Sequence, residues 1–142
     1  MPLNWLTPAR DFTQQAIIRV RYADTDCMGV VYHANYLQYF ESCRTELIRH
    51  VWKSYRGIEH GGWFLMVLEA HCRYLQSAKY DDVLIVDGTI SGYTETRLRF
   101  DYQIRHQESN RLLVDGFTEH CWTDTRGKPC RMPPELKKIL RS

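Results

Sequence analysis

One segment of this chain has the periodicity of a long helix, and it lies between segments that have the patterns of β-strands. Over residues 36–52, apolar side chains return every three or four positions, with Tyr36, Phe40 and Leu47 on one stripe. Asn35 stands where the N-cap of such a helix is expected. The pattern predicts a helix ~25 Å long with one apolar face. Such a helix must bury that face against another layer of structure.

The other segments have strand patterns, and the alternation of apolar and polar residues that is typical of half-buried strands is clear at 17–22 and 96–107. The first is residues 17–22, where Ile18, Val20 and Tyr22 are predicted to point to one side. Four more strands are predicted after the helix, at 63–74, 82–93, 96–107 and 112–123. Their short connections require antiparallel pairing. The sequence therefore predicts an α+β domain with a five-stranded antiparallel sheet on one long helix, a loose arm at 1–14 and a short helix at 134–140.

Composition excludes several classes of protein. The 142 residues suit one domain, and a net charge of +2 is too balanced to argue for a nucleic-acid partner, so none is expected. No apolar run approaches the ~20 residues of a membrane-spanning helix, and the first residues lack the apolar core of a signal peptide. The five cysteines are widely spaced without a C-x-x-C, so they predict reduced, mostly buried thiols and a cytoplasmic protein.

The residues suited to chemistry concentrate between the first strand and the long helix. Two carboxylates, Asp24 and Asp26, stand there with Tyr22, Tyr32 and His33. A helix N-terminus offers free N–H groups and a partial positive charge, which stabilise a developing oxyanion. A neighbouring carboxylate can act as a general base or as a nucleophile.

Other interpretations of this segment stay open on spacing alone. D-T-D-C-M-G copies the opening of an EF-hand loop, although Asn35 occupies the position of the final glutamate. Cys27 and His33 are a conceivable nucleophile pair, and Asp24, Asp26 and His33 are a conceivable metal site. In the simplest alternative, both aspartates only shape a turn and cap the helix.

The run R-V-R-Y-A-D-T-D-C-M-G-V-V-Y-H-A-N-Y resembles the start of hotdog-fold acyl-CoA thioesterases. It is most similar to the YbgC branch of the 4-hydroxybenzoyl-CoA thioesterase family, whose Tyr-x3-Asp-x6-His pattern falls on Tyr22, Asp26 and His33. The segment Y-L-Q-S-A-K-Y-D-D-V-L, which starts at Tyr74, is similar to a second recurring segment of that family. The resemblance covers nearly the whole chain after the N-terminal arm and implies a hotdog fold, in which the sheet wraps around the helix.

The resemblance also implies an activity and its residues. A family member of this kind hydrolyses the thioester of an aromatic or short- to medium-chain acyl-CoA, with no metal and no redox cofactor. Asp26 would attack the thioester or activate a water, while the backbone N–H near His33 would polarise the carbonyl. His33 and Tyr22 would position water, acyl group or carboxylate. The expected substrate contacts near the helix are Tyr32, Asn35 and Tyr36.

Further expectations concern the CoA phosphates, the acyl pocket and the remaining carboxylates. The phosphates of CoA need basic side chains, for which the candidates are Arg97, Lys128 and Arg131. The aromatic and apolar residues that could line an acyl pocket, or equally form the core, include Tyr39, Trp63, Phe64 and Met66. We expect Asp24 to support the loop. We expect Glu41 to form a surface pair with Arg44 rather than to act in catalysis.

One helix leaves part of a five-stranded sheet uncovered, which favours a homo-oligomer. Hotdog relatives form dimers with sites at the subunit interface, often paired into tetramers, so a homodimer or homotetramer is expected. Two other functions stay open. One is a thioesterase for acyl carrier protein or naphthoyl-CoA substrates, and the other is a hotdog domain that binds acyl-CoA without hydrolysing it.

Overall fold

A computed structural model describes residues 3–142 of the chain. Strands and helices follow in the order β1 (Thr13–Arg19), α1 (Asn35–Val51), α2 (Tyr55–His60), β2 (Phe64–Tyr74), β3 (Val83–Tyr93), β4 (Arg97–His106), β5 (Leu112–Thr123) and α3 (Pro134–Arg141). The predicted α+β class, the long helix and the four strands after it are confirmed, with strand ends within one residue of the prediction.

The five strands form one sheet in the order β1-β3-β4-β5-β2, and every neighbouring pair is antiparallel. Along β3, β4 and β5, buried side chains alternate with partly exposed ones, so one face of the sheet is core and the other faces outward. Helix α1 packs on the core face. Strands β1 and β2 are the two edges, and β2 is largely exposed along its length.

Two glycines set how closely α1 approaches the sheet. A Cβ atom added at Gly88 would lie 2.6 Å from the sulfur of Cys43 on α1. At Gly116 it would lie 2.0 Å from the backbone oxygen of His71 and 2.9 Å from the ring of Phe40. The Phe40 ring instead stacks on Tyr102, with centroids 4.2 Å apart and an interplanar angle of 5°. The buried stripe of α1 can therefore rest almost directly on the strands.

A polar network lies inside this interface. The hydroxyl of Tyr102 and Nε2 of His120 both hydrogen-bond to Oγ1 of Thr118, at 2.7 and 2.8 Å. All three side chains are buried. Arg44 is also buried and lies close enough to Tyr55 and Tyr102 to hydrogen-bond with them. The surface pair expected between Arg44 and Glu41 is therefore wrong, because the guanidinium points into the domain.

The region before α1 differs most from the prediction. Strand β1 covers Thr13–Arg19 instead of 17–22, and Tyr22 lies in a 3₁₀ turn with 79% of its surface exposed. The arm is not loose, since Leu6 pairs with Tyr93 and Phe12 is buried. Thr13, Gln14 and Gln15 form a strand because they pair with β3, a cause that lies outside the segment itself.

Three smaller expectations also need correction. Asn35 is the first residue of α1 and not its N-cap, a position held by Ala34 without a side-chain hydrogen bond. Helix α2 was not predicted, because it has six residues and contains Gly57, although the hydroxyl of Ser54 caps it. All five cysteines are free, as expected, but only Cys43 is buried. Within residues 3–142, no helix is long and apolar enough to cross a membrane.

We predict that His120 makes the stability of the fold depend on pH. Burial, and secondly the charge of Arg44, lowers the pKa of His120 from 6.5 to about 3. The unfolded chain therefore binds a proton between these values that the folded chain does not. The stability that depends on a neutral His120 is fully present above pH 6.5 and is lost toward pH 3. In this range the free energy of unfolding falls by up to ~1.4 kcal/mol per pH unit.

Urea unfolding between pH 4 and pH 8 tests this prediction. His120→Gln should flatten the fall in the free energy of unfolding below pH 6.5, whereas His60→Gln, at an exposed position, should leave it unchanged. Parallel curves for the wild type and His120→Gln would contradict the prediction.

Candidate active site

The candidate site is built on the loop between β1 and α1, called here the site loop (residues 20–34). Its backbone folds on itself, with a bridge between Thr25 and Val31 across a tight turn at Gly29, which has φ +82°. The loop is also fixed from outside, because the N–H of Val31 donates to the oxygen of Ala78 at 2.9 Å. The site loop therefore has a defined shape before any substrate binds.

Asp24 holds the site loop to α1. The residue is only 3% exposed, and its side chain accepts hydrogen bonds from the guanidinium of Arg21 at 2.8 Å and from the hydroxyl of Tyr39 at 3.1 Å. Its backbone oxygen accepts from the N–H of Tyr32 at 2.9 Å and from Nδ2 of Asn35 at 2.8 Å. Burial alone would raise the pKa of Asp24, but the bonds from Arg21 and Tyr39 outweigh it and lower the pKa. Asp24 is thus ionised and fully engaged within the loop.

Asp26 has a different environment, two residues further on. Its Oδ1 accepts from the N–H of Met28 at 2.8 Å and from that of Val30 at 3.4 Å. Its Oδ2 has no hydrogen-bond partner within residues 3–142, and the side chain is only half-buried. One oxygen fixes the carboxylate, and the other is available to take a proton or to attack an electrophile.

Free backbone donors lie at the end of the same loop. The N–H groups of His33 and Ala34 have no acceptor in the part of the chain that the structure describes, and α1 begins at the next residue. They are unpaired amides at a helix N-terminus, where the helix dipole adds a partial positive charge. A carboxylate with a free oxygen and two free amides are the components of a site for acyl transfer.

The predicted residues near α1 gather at this loop in different ways. The rings of Tyr32 and His33 are exposed and lie 4.4 Å apart. Tyr22 is exposed and packs edge-on against Tyr80, with centroids 5.8 Å apart. Tyr36 is buried among other rings, and Asn35 uses its amide group on Asp24. Their roles in catalysis and substrate binding remain predictions.

The predicted phosphate contacts lie at the other end of the sheet. Arg97 pairs with Cys121, and Lys128 lies in the turn just after β5, whereas the site loop packs near Tyr74, which pairs with Val114. Residues 114–121 of β5 alone span ~23 Å at 3.3 Å per residue. Arg131 and the candidate pocket residues Trp63, Phe64 and Met66 share that far end. Within one chain, none of them approaches Asp26.

Two tyrosines support the site in ways that the sequence did not indicate, since Tyr39 was expected only as a pocket or core residue and Tyr74 was not named as a site residue. Tyr39 contacts Asp24, and the hydroxyl of Tyr74 donates to the backbone oxygen of His33 at 3.0 Å. The only sequence signal for Tyr74 was its position at the start of the second family-like segment. Both contacts depend on tertiary packing, which a linear pattern does not record.

Residues 20–140 match the sequence profile of the thioesterase-like superfamily. The chain belongs to this superfamily. It is 31% identical over 119 residues to acyl-CoA thioester hydrolase YbgC of Escherichia coli, covering 84% of this chain and 89% of that one. It superposes on the DHNA-CoA thioesterase of Staphylococcus aureus with a TM-score of 0.85 and 30% identity, over 89% and 87% of the two chains.

A further superposition is with the 1,4-dihydroxy-2-naphthoyl-CoA thioesterase Slr0204 of Synechocystis, at a TM-score of 0.82 and 27% identity, over 90% and 95% of the chains. These matches confirm the hotdog fold that the motif implied. They also agree with the observed arrangement, in which a five-stranded antiparallel sheet packs on one long helix.

We predict that the two aspartates affect stability very differently. Asp24→Asn removes a buried charge that holds the site loop, so it should lower the free energy of unfolding by about 1–3 kcal/mol. Asp26→Asn keeps an amide oxygen that can accept the bonds from Met28 and Val30, so it should cost less than ~0.5 kcal/mol. Urea unfolding of both variants at pH 7 measures the difference. Equal losses would show that Asp24 does not support the loop.

Proposed function

We propose that this protein is an acyl-CoA thioesterase that hydrolyses an aromatic or short- to medium-chain acyl-CoA to the free acid and CoA. The observation that carries the proposal is the carboxylate of Asp26, which has one oxygen fixed by the loop and one oxygen free. It belongs to the same short loop as the free amides of His33 and Ala34. Membership of the thioesterase-like superfamily supports the same chemistry.

The reaction can follow either of two routes from this geometry. In the first, Oδ2 of Asp26 attacks the thioester carbon, the C–S bond breaks, and water hydrolyses the resulting anhydride. In the second, Oδ2 takes a proton from water, the hydroxide adds to the thioester carbon, and the C–S bond breaks as the tetrahedral intermediate collapses. In both routes the amides near His33 stabilise the oxyanion. A thiol with a pKa near 8.5 is a good leaving group, so no strong general acid is needed.

The side chains around the loop have supporting roles in this proposal. His33 and Tyr22 position the water or the acyl group, and the exposed ring of Tyr32 offers a surface for the acyl group. Asn35 and Tyr36 contribute indirectly. Asn35 hydrogen-bonds to the backbone oxygen of Asp24 in the site loop, and the ring of Tyr36 packs near that of Tyr74. The proposed chemistry uses no metal and no redox cofactor, because the carboxylate acts as base or nucleophile and the amides stabilise the oxyanion.

A naphthoyl-CoA substrate is the second candidate. The observation that favours it is the superposition, at 27–30% identity, on two thioesterases named for such a substrate. Acyl carrier protein substrates and binding without hydrolysis are further outcomes of the experiment below. The chain is proposed to act in the cytoplasm, where its five free cysteines would stay reduced.

A homodimer, itself able to pair into a tetramer, is proposed to complete the site. Strand β2 is an edge with unpaired backbone groups, and apolar side chains on it and just after it are 44–52% exposed, namely Met66, Val67, Leu68, Tyr74 and Leu75. Antiparallel pairing of β2 with a second copy would bring the partner's far end beside Tyr74. Arg97, Lys128 and Arg131 could then meet CoA phosphates at the other subunit's loop.

The first prediction of the proposal concerns activity. Asp26→Asn keeps the shape of the loop but removes the base or nucleophile, so hydrolysis should fall on the order of 10³-fold or more. Free-thiol release from benzoyl-CoA, naphthoyl-CoA, butyryl-CoA and palmitoyl-CoA measures this, with Glu41→Gln as the control carboxylate. No turnover by wild type on any CoA ester, with binding retained, would favour a carrier-protein substrate or a binding module.

The second prediction concerns assembly. Leu68→Lys puts a charge into the exposed edge β2, so it should reduce the mass in sedimentation equilibrium to that of a single chain. Ile17→Lys is the control, because Ile17 is an apolar residue on the opposite edge β1 that is even more exposed than Leu68. Loss of the oligomer with Ile17→Lys alone would assign the interface to β1 instead.

A further inference from the structure

Tyr74 connects the edge strand β2 to the end of the site loop. It is the last residue of β2, and its hydroxyl donates to the backbone oxygen of His33 at 3.0 Å. Its ring lies 5.7 Å from the ring of Tyr36 and 6.1 Å, edge-on, from that of His33. The chain that follows is also fixed, since the N–H groups of Leu75 and Gln76 both donate to the oxygen of Leu113. The hydroxyl is therefore held from the sheet and from α1.

The acceptor of this bond belongs to a peptide that matters for the proposed chemistry. The carbonyl of His33 and the N–H of Ala34 are the two ends of one planar trans peptide, in which they point in opposite directions. A hydrogen bond that fixes the carbonyl thus also fixes the direction of the free N–H. Hydrogen bonds in series polarise one another, so the same contact strengthens Ala34 as a donor.

No other hydrogen bond to this peptide is present within residues 3–142. The carbonyl of His33 has Tyr74 as its side-chain donor, and the N–H of Ala34 has no acceptor. Asp24 fixes the preceding turn of the loop through Tyr32 and Asn35, but it does not touch the peptide between His33 and Ala34. The two supports are therefore separate, one from Asp24, which is bonded to α1, and one from Tyr74 at the end of β2.

We propose that Tyr74 is a positioning residue of the thioesterase site, which orients and polarises the peptide between residues 33 and 34 so that its N–H faces the thioester oxygen. This inference rests on the proposed function. It assigns to the edge strand a part in the oxyanion site that the loop alone would not supply. Tyr74 itself does not touch the reacting atoms.

Tyr74→Phe keeps the ring packing and deletes only the hydroxyl, and Tyr93→Phe, at the far end of β3, is the matched control. With the best acyl-CoA of the panel, Tyr74→Phe should lower kcat about tenfold with KM nearly unchanged, less than the loss on removing a direct oxyanion donor. Tyr93→Phe should leave both constants unchanged. A wild-type kcat for Tyr74→Phe, or a change confined to KM, overturns the inference.

A spectroscopic measurement separates this inference from stability and from the proposed function. In the Asp26→Asn background, bound benzoyl-CoA should show its thioester C=O stretch at lower frequency than in water, and adding Tyr74→Phe should reverse part of that shift. The spectrum reports the folded protein even where the variant melts at a lower temperature. An unshifted stretch in Asp26→Asn, with no turnover by wild type, contradicts the thioesterase proposal. A shift identical with and without the Tyr74 hydroxyl contradicts only the role of Tyr74.

Discussion

The close contact between α1 and the sheet is the constraint on which the other features depend. Gly88 and Gly116 leave no room for a side chain, so Cys43 and Phe40 rest directly on β3, β4 and β5. This contact fixes the position of the N-terminus of α1 relative to the sheet. The direction of the free amides at His33 and Ala34 follows from it, because helix and site loop are continuous. The depth of packing in the core therefore determines the geometry of the candidate site.

The two aspartates of the site loop have different roles. Asp24 is buried, charged and hydrogen-bonded on every side, which makes it a structural element that substrate cannot reach. Asp26 is fixed on one side only. Aspartate is thus structural at position 24 and available for chemistry at position 26, and the difference lies in burial and in the hydrogen-bond partners.

Much of the fold was accessible from the sequence, because long amphipathic patterns report which side of an element is buried. The bounds of α1 and of β2 to β5 followed from the helix and strand patterns together with the turn residues between them. Strand β1 was misjudged because Thr13, Gln14 and Gln15 carry no strand signal and owe their conformation to pairing with β3. Arg44 was misjudged because its charge suggested the surface, whereas tyrosines from α2 and β4 give it polar neighbours inside. The motif identified the site loop but not its supports, since Tyr39 lies further along α1 and Tyr74 lies at the end of β2, both outside the motif.

Asp26 is hydrogen-bonded through Oδ1 only, and this lowers the entropy that the reaction must lose. A free carboxylate rotates about its Cβ–Cγ bond and presents either oxygen in turn. Here that rotation would break the bonds from Met28 and Val30, so the side chain loses this freedom when the protein folds. The activated complex then forms without that loss, and the same oxygen meets every substrate molecule from the same direction.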